Sequence, residues 1–193
     1  MTSANEPEPE KRTTTTTTTI QELNKIIDSL STPVRRLHRG PCDEVYPNIF
    51  LGNEGSALNV QRLVNNGFTH VLNCAYAEGY QPFMYCTTSE RTYAGTGIQF
   101  KGLHAMDIMT YDMSQHFPQA TDFIAESVDG GGKILVHCRE GISRSATVVA
   151  AYLMMRKDMS AAEAISVIAQ QRAICPNQGF RQQIIELEKQ LRP

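Results

Sequence analysis

A chain of 193 residues, 41% of them hydrophobic, is long enough to bury the core of one domain. A net charge of −2, from 18 Lys and Arg against 20 Asp and Glu, gives no reason to expect nucleic acid or another polyanion as a partner. The five cysteines (Cys42, Cys74, Cys86, Cys138 and Cys175) are odd in number and contain no C-x-x-C pair. That argues against a disulfide framework and a zinc site, and for a reducing compartment, cytoplasmic or nuclear. The N-terminus is polar, and the longest apolar run is too short to span a bilayer, so no membrane partner is expected.

Met1 to Thr19 is acidic, contains proline and ends in seven threonines, which reads as a disordered low-complexity tail before a single domain over 20–193. Ile20, Leu23, Ile27 and Leu30 stand at helical spacing and predict a short amphipathic helix. Arg35, Arg36 and Arg39 form a small basic cluster, expected in a solvated loop in preference to its other reading, a kinase-docking site. From Val45 onward strands and helices alternate. The apolar strand candidates are Val45–Leu51, Thr69–Cys74, Ile98–His104 and Lys133–His137. Helices are predicted over Ser56–Asn65, closed by Gly67, and over Phe117–Val128, closed by Gly130–Gly132. Ala146 to Met155 reads as another, Ser160 with Glu163 forms a capping box opening one through Gln171, and a last one follows Pro176–Asn177. The alternation implies an α/β fold, with a central, largely parallel twisted sheet flanked by helices.

The most informative stretch is ILVHCREGISRS, Ile134 to Ser145. A buried-type strand runs into His137–Cys138, and the spacing from Cys138 to Arg144 is C-x5-R, just ahead of a helix. Successive backbone N–H groups of such a loop form a concave anion site, and the helix start adds unpaired N–H groups and a positive dipole end. Arg144 supplies a planar fork matched to two phosphate oxygens. The same field depresses the pKa of Cys138, and the thiolate is the nucleophilic form. Ligands of open parallel sheets bind beyond the carboxyl ends of strands, which is where Cys138 falls. A phosphoester also needs its leaving oxygen protonated. Asp107 and Asp112 lie in the loop after the strand Ile98–His104 and are the candidate acids. Cys74 ends the strand THVLNC, beside the strand that feeds Cys138. It reads either as a buried core thiol or as a redox partner able to trap oxidised Cys138.

HCREGISRSATVVAAYLMMR (His137 to Arg156) resembles the signature of the cysteine-dependent protein phosphatases. CDEVYPNIFLGN (Cys42 to Asn53), THVLNCA (Thr69 to Ala75), GIQFKGLHAMD (Gly97 to Asp107) and RAICPNQGF (Arg172 to Phe180) are similar to further segments of that superfamily. Together they resemble the small atypical dual-specificity phosphatases, the vaccinia-related subgroup that includes dual-specificity protein phosphatase 3.

The resemblance implies a protein tyrosine phosphatase-like fold without cofactor or metal. It also implies hydrolysis of phosphotyrosine and phosphoserine or phosphothreonine through a phosphocysteine. Cys138 would be the nucleophile, Asp107 the general acid, and Ser145 the hydroxyl that assists the departing thiolate. Arg139, Glu140, Gly141, Ile142, Ser143 and Arg144 would line the phosphate site, with His137 orienting the loop and Asn177 bracing it. Arg172 occupies the place of a basic residue able to meet a second phosphate, its other reading being a surface helix arginine. The helix from Ile20 occupies that of a substrate rim, its other reading being a helix that covers core. Ile142 departs from the aromatic that relatives often carry there. Phosphoprotein substrates follow, with mitogen-activated protein kinases among those admitted. The competing readings are a non-catalytic phosphoprotein-binding module, and a phosphatase acting on a phosphoinositide or an RNA end.

Overall fold

The computed structural model describes residues 17–32, 34–35, 40–78 and 84–193; Arg36 and Arg39 of the basic cluster and residues 1–16 of the tail lie outside them. Five strands form one sheet, β1 (Cys42–Tyr46), β2 (Ile49–Gly52), β3 (His70–Asn73), β4 (Gln99–Gly102) and β5 (Ile134–His137), in the order β1-β2-β5-β3-β4. All neighbours are parallel except β1 and β2. The single strand expected over Val45–Leu51 is therefore a hairpin. Pro47 pre-sets one turn residue, and Asn48 takes the left-handed conformation (φ 63°) that the reversal needs.

The helices are α1 (Ile20–Leu30), α2 (Glu54–Leu58), α3 (Val60–Asn65), α4 (Phe117–Asp129), α5 (Arg144–Lys157), α6 (Ala161–Gln171) and α7 (Gln178–Leu191). The helix expected over Ser56–Asn65 breaks at Asn59, whose side chain leaves the helical ladder to accept from Arg62 N–H at 3.2 Å. It also starts earlier than expected, because Asn53 caps it through Ser56 N–H. The capping box at Ser160 and Glu163 forms as expected.

Side chains alternate across the sheet. Leu72, Ile134 and Val136 join the main core with α1 and α4 to α7, while Val71 and Leu135 pack against Ala57, Leu63, Phe68 and Tyr93 on the other face. α5 runs through the main core and is buried from Arg144 to Met154. α1 packs on α6 through Leu23 and Ile27, each stabilising the fold by about 2 kcal/mol. Its approach is fixed by Thr18, whose N–H and hydroxyl donate to the buried Glu188 carboxylate at 2.6 and 3.0 Å. Ala161 N–H donates to the same carboxylate at 2.7 Å. Arg35, expected in a solvated loop, instead caps the end of α6 by donating to the carbonyls of Ala169 and Gln170. No helix among the described residues is long and apolar enough to cross a membrane.

Candidate active site

The loop 138–143 joins the end of β5 to the start of α5. Gly141 sits at φ 68°, and a Cβ there would lie 2.2 Å from the Gly52 carbonyl oxygen, so only glycine lets the loop pass β2 so closely. Cys138 is buried at its floor. Burial alone would push the thiol up. The Arg144 charge, the Ser145 hydroxyl 3.2 Å from Sγ, and the N–H groups of Ser145 and Gly141 outweigh it, and the thiol is held below its ordinary value.

Arg144 is 4% exposed. Its Nη1 donates to the carbonyls of Met84 (2.8 Å) and Ala105 (3.0 Å), which fixes the guanidinium plane. Its Nε is buried with no hydrogen-bond partner among the described residues and lies 3.5 Å from Asp107 Oδ2. A buried, unpartnered donor beside a nucleophile marks the place of an oxyanion. Asp107 is oriented through its other oxygen, with Oδ1 accepting from the Ser143 hydroxyl (2.8 Å) and from Asn177 Nδ2 (2.9 Å). Asn177 at the same time caps α7 through Phe180 N–H. Asp112 is turned elsewhere, its Oδ1 accepting from the N–H and hydroxyl of Ser114.

His137 is fully buried, and burial depresses its imidazole to about 4, so the ring is neutral at physiological pH. Asn73 Nδ2 donates to Thr88 Oγ1 at 2.9 Å, and that hydroxyl lies 3.0 Å from His137 Nε2. Nδ1 faces the Cys138 carbonyl at 3.4 Å. These contacts engage both ring nitrogens and tie the loop to the ends of β3 and β5. Thr88 and Asn73 escaped the sequence reading, because nothing in the order of residues marks a hydroxyl and an amide as neighbours of His137.

Asp107, Cys138, Arg139, Ile142, Arg144 and Asn177 line a cavity of about 360 Å³, and Glu140, Ser143 and Cys175 complete it. A larger hollow of about 840 Å³, between Tyr76, Thr87, Arg91 and Lys101, brings no cysteine or histidine to its walls and is set aside as a reaction site. Among the described residues no group of three or more His, Cys, Asp or Glu is placed to hold a metal ion. Arg172 does not line the reaction cavity. It is 1% exposed, and its guanidinium donates to Gly141 O (2.8 Å), Gly40 O (2.9 Å) and Asp43 Oδ2 (2.5 Å). The expected contact with a second phosphate is thereby corrected: the fork points into the protein, away from substrate. Cys74 N–H donates to the His137 carbonyl at 2.7 Å, which places Cys74 beside Cys138; burial pushes its thiol well up. Cys86, absent from the sequence reading of the site, is a further buried thiol in the same core.

A thiolate that shares one cradle with an oxyanion is suited to taking a phosphoryl group onto sulfur, the chemistry of the cysteine-dependent phosphatases. Comparison with known proteins narrows that class. Residues 49–190 match the family model of the dual specificity phosphatase catalytic domain, and the chain belongs to that family. Dual specificity protein phosphatase 26 of Homo sapiens is 43% identical over 152 residues, covering 78% of this chain and 69% of that protein. The crystal structure of human DUSP28 is similar with a TM-score of 0.68 and 26% identity, covering 80% of this chain and 97% of that one. A human tyrosine phosphatase-like serine/threonine/tyrosine-interacting protein is also similar, with a TM-score of 0.63, 29% identity and coverage of 78% and 97%. The chain is a cysteine-dependent dual-specificity protein phosphatase, and phosphoproteins are its substrates.

Proposed function

We propose that residues 20–193 form the catalytic unit and that its four chemical groups are Cys138, Arg144, Asp107 and Ser145. The observation that carries this reading is the depressed thiol of Cys138 lying in one cavity with Arg144 Nε and the oriented carboxyl of Asp107. The Cys138 thiolate attacks phosphorus in line, the P–O bond to the substrate breaks, and Asp107 delivers its proton to the leaving oxygen. Arg144 and the inward N–H groups of 139–143 hold the remaining phosphoryl oxygens, where charge is greatest. Water then attacks the phosphocysteine, Asp107 takes its proton, and the Ser145 hydroxyl donates to the departing thiolate.

With no aromatic ring at Ile142, the loop gives phosphotyrosine no stacking partner, which favours acceptance of phosphothreonine and phosphoserine as well. Mitogen-activated protein kinases are the substrate class we take from the family resemblance. A cytoplasmic or nuclear setting is supported by five cysteines that all stay unpaired.

Turnover of wild type and Cys138→Ser on phosphotyrosine, phosphothreonine, phosphoinositide and RNA 5′-phosphate substrates tests the reading. Wild type is expected to hydrolyse both phosphopeptides and the variant neither. Wild type that turns over only the lipid or the RNA would move the substrate to that class, and no turnover of any would leave a binding module. Cys74 is proposed as the thiol that condenses with a Cys138 sulfenic acid, releasing water and forming a disulfide. Peptide mapping after peroxide is expected to recover the 74–138 linkage; sulfinic acid at Cys138 without it removes Cys74 from the role.

A further inference from the structure

A trans peptide points its C=O and the following N–H in opposite directions. Whatever holds the carbonyls of the phosphate loop outward therefore aims its N–H groups inward. The Arg139 carbonyl accepts from Glu54 N–H at 3.1 Å, and the Ile142 carbonyl from Cys175 N–H at 2.8 Å. The two between them share one donor, Arg172. Its Nε donates to Gly141 O at 2.8 Å, and its Nη2 lies 3.4 Å from Glu140 O. The peptides so anchored are those whose N–H groups belong to Gly141 and Ile142, at the middle of the cradle. Arg172 is itself clamped on the side away from the cavity, through Nη1, by Gly40 O and by the carboxylate of Asp43 on β1. The bidentate reach of a guanidinium suits this place, since an ammonium is a point charge unable to span two carbonyls and a carboxylate together.

We propose that Arg172, held by Asp43, is a positioning pair that turns the Glu140–Gly141 and Gly141–Ile142 peptides so that their N–H groups face the thiolate and the transferred phosphoryl group. The pair acts through the backbone and touches no substrate. The inference rests on the reading of Cys138 as nucleophile. Gly141 N–H is one of the groups that hold the Cys138 thiol down, so the pair has a signature beyond turnover.

The test uses the full chain as wild type, Arg172→Lys and Asp43→Asn. Three readouts are taken: the pH dependence of Cys138 alkylation by iodoacetamide; inhibition by vanadate; and kcat/KM on p-nitrophenyl phosphate, a singly phosphorylated peptide and a doubly phosphorylated peptide. Arg172→Lys is expected to move the alkylation midpoint up, to weaken vanadate, and to lower kcat/KM on the order of 10²-fold on all three substrates alike. Asp43→Asn keeps the arginine and its shape, and is expected to shift the same readouts in the same direction by less. Should Arg172→Lys fail to fold, Asp43→Asn carries the test. A loss confined to the doubly phosphorylated peptide, with an unmoved alkylation profile, would overturn the proposal in favour of a second-phosphate contact. Unchanged readouts in a folded variant would overturn it outright. Failure of the Cys138 reading shows separately, as wild-type turnover that survives complete alkylation.

Discussion

In the loop 138–143, Cys138, Gly141 and Ser143 are buried, and the carbonyls of 139 to 142 are bonded to donors from two other segments, Glu54 and the stretch from Arg172 to Cys175. The loop that carries Asp107 faces solvent instead, with Ile108 and Met109 exposed by 40% and 63%. Apart from the Ser143 hydroxyl and Arg144, which meet Asp107 itself, its attachments are side chains at a few points along one helix and its approach. Asn177 donates to Asp107, and Gln183 accepts from the N–H groups of Met113 and Ser114 and donates to the Tyr111 carbonyl. At Gly179 the absence of a side chain lets the Met109 carbonyl pass, since a Cβ would stand 1.8 Å from that oxygen. Each support suits its task. A cradle for an oxyanion must hold its dipoles fixed before charge develops, so it is built from backbone anchored on all sides. A proton donor needs only one oxygen aimed at the leaving group, and a surface loop pinned to α7 supplies that.

Asp107→Asn breaks the comparison most directly. Asparagine retains an Oδ1 acceptor for Ser143 and Asn177, so the loop keeps its course while the proton is lost. Turnover of a phosphothreonine peptide is expected to fall by about 10²-fold or more, and the basic limb of the pH–rate profile to disappear. The pH profile of Cys138 alkylation should stay as in wild type, because the cradle is held independently. Retention of the basic limb would transfer the acid role to another group.

The buried side is sharpened by acid. His137 titrates at about 4 in the fold and near 6.5 when unfolded, so between those values the unfolded chain binds a proton that the folded one refuses. This contribution to stability is fully present above about pH 6.5 and is lost as pH falls toward 4. Urea unfolding is expected to show wild type losing about 2 kcal/mol more than His137→Asn between pH 7 and pH 5. The paired design matters, because burial also lowers His70 and His116, which add slope of the same sign to both proteins. Equal slopes would mean that His137 does not anchor the loop in its neutral form.

The same contrast explains what could be read from the chain. The cradle is one contiguous segment whose strand, turn and helix signals are local, so its position at the end of β5 was legible residue by residue. Asp107 was legible only through its place after β4 and the family resemblance; the loop around it is oriented by α7, far along the chain. Arg172 was found as a residue and misjudged as a contact, because sequence shows the charge and not the direction of the fork. Its partner Asp43 carries no signal at all. The β1–β2 hairpin was missed although Pro47–Asn48 spells a turn, since apolar residues on both sides of a tight turn read as one run. The break at Asn59 is similar, an amide that caps a helix rather than continuing it.

The smallest expected effect tests how the exposed loop is carried. Gln183→Ala removes the contacts to Tyr111, Met113 and Ser114 while leaving Asn177 and Gly179 in place. Losing this bridge is expected to cost roughly 1 kcal/mol in the barrier, about fivefold in kcat. The loss should be larger for phosphothreonine than for p-nitrophenyl phosphate, whose leaving group needs little protonation. KM and the Cys138 alkylation profile should not move, because neither depends on where Asp107 sits. A shift in the alkylation profile would show that α7 braces both loops at once. The cradle would then owe its geometry partly to the helix that holds the acid, and the two supports would be one.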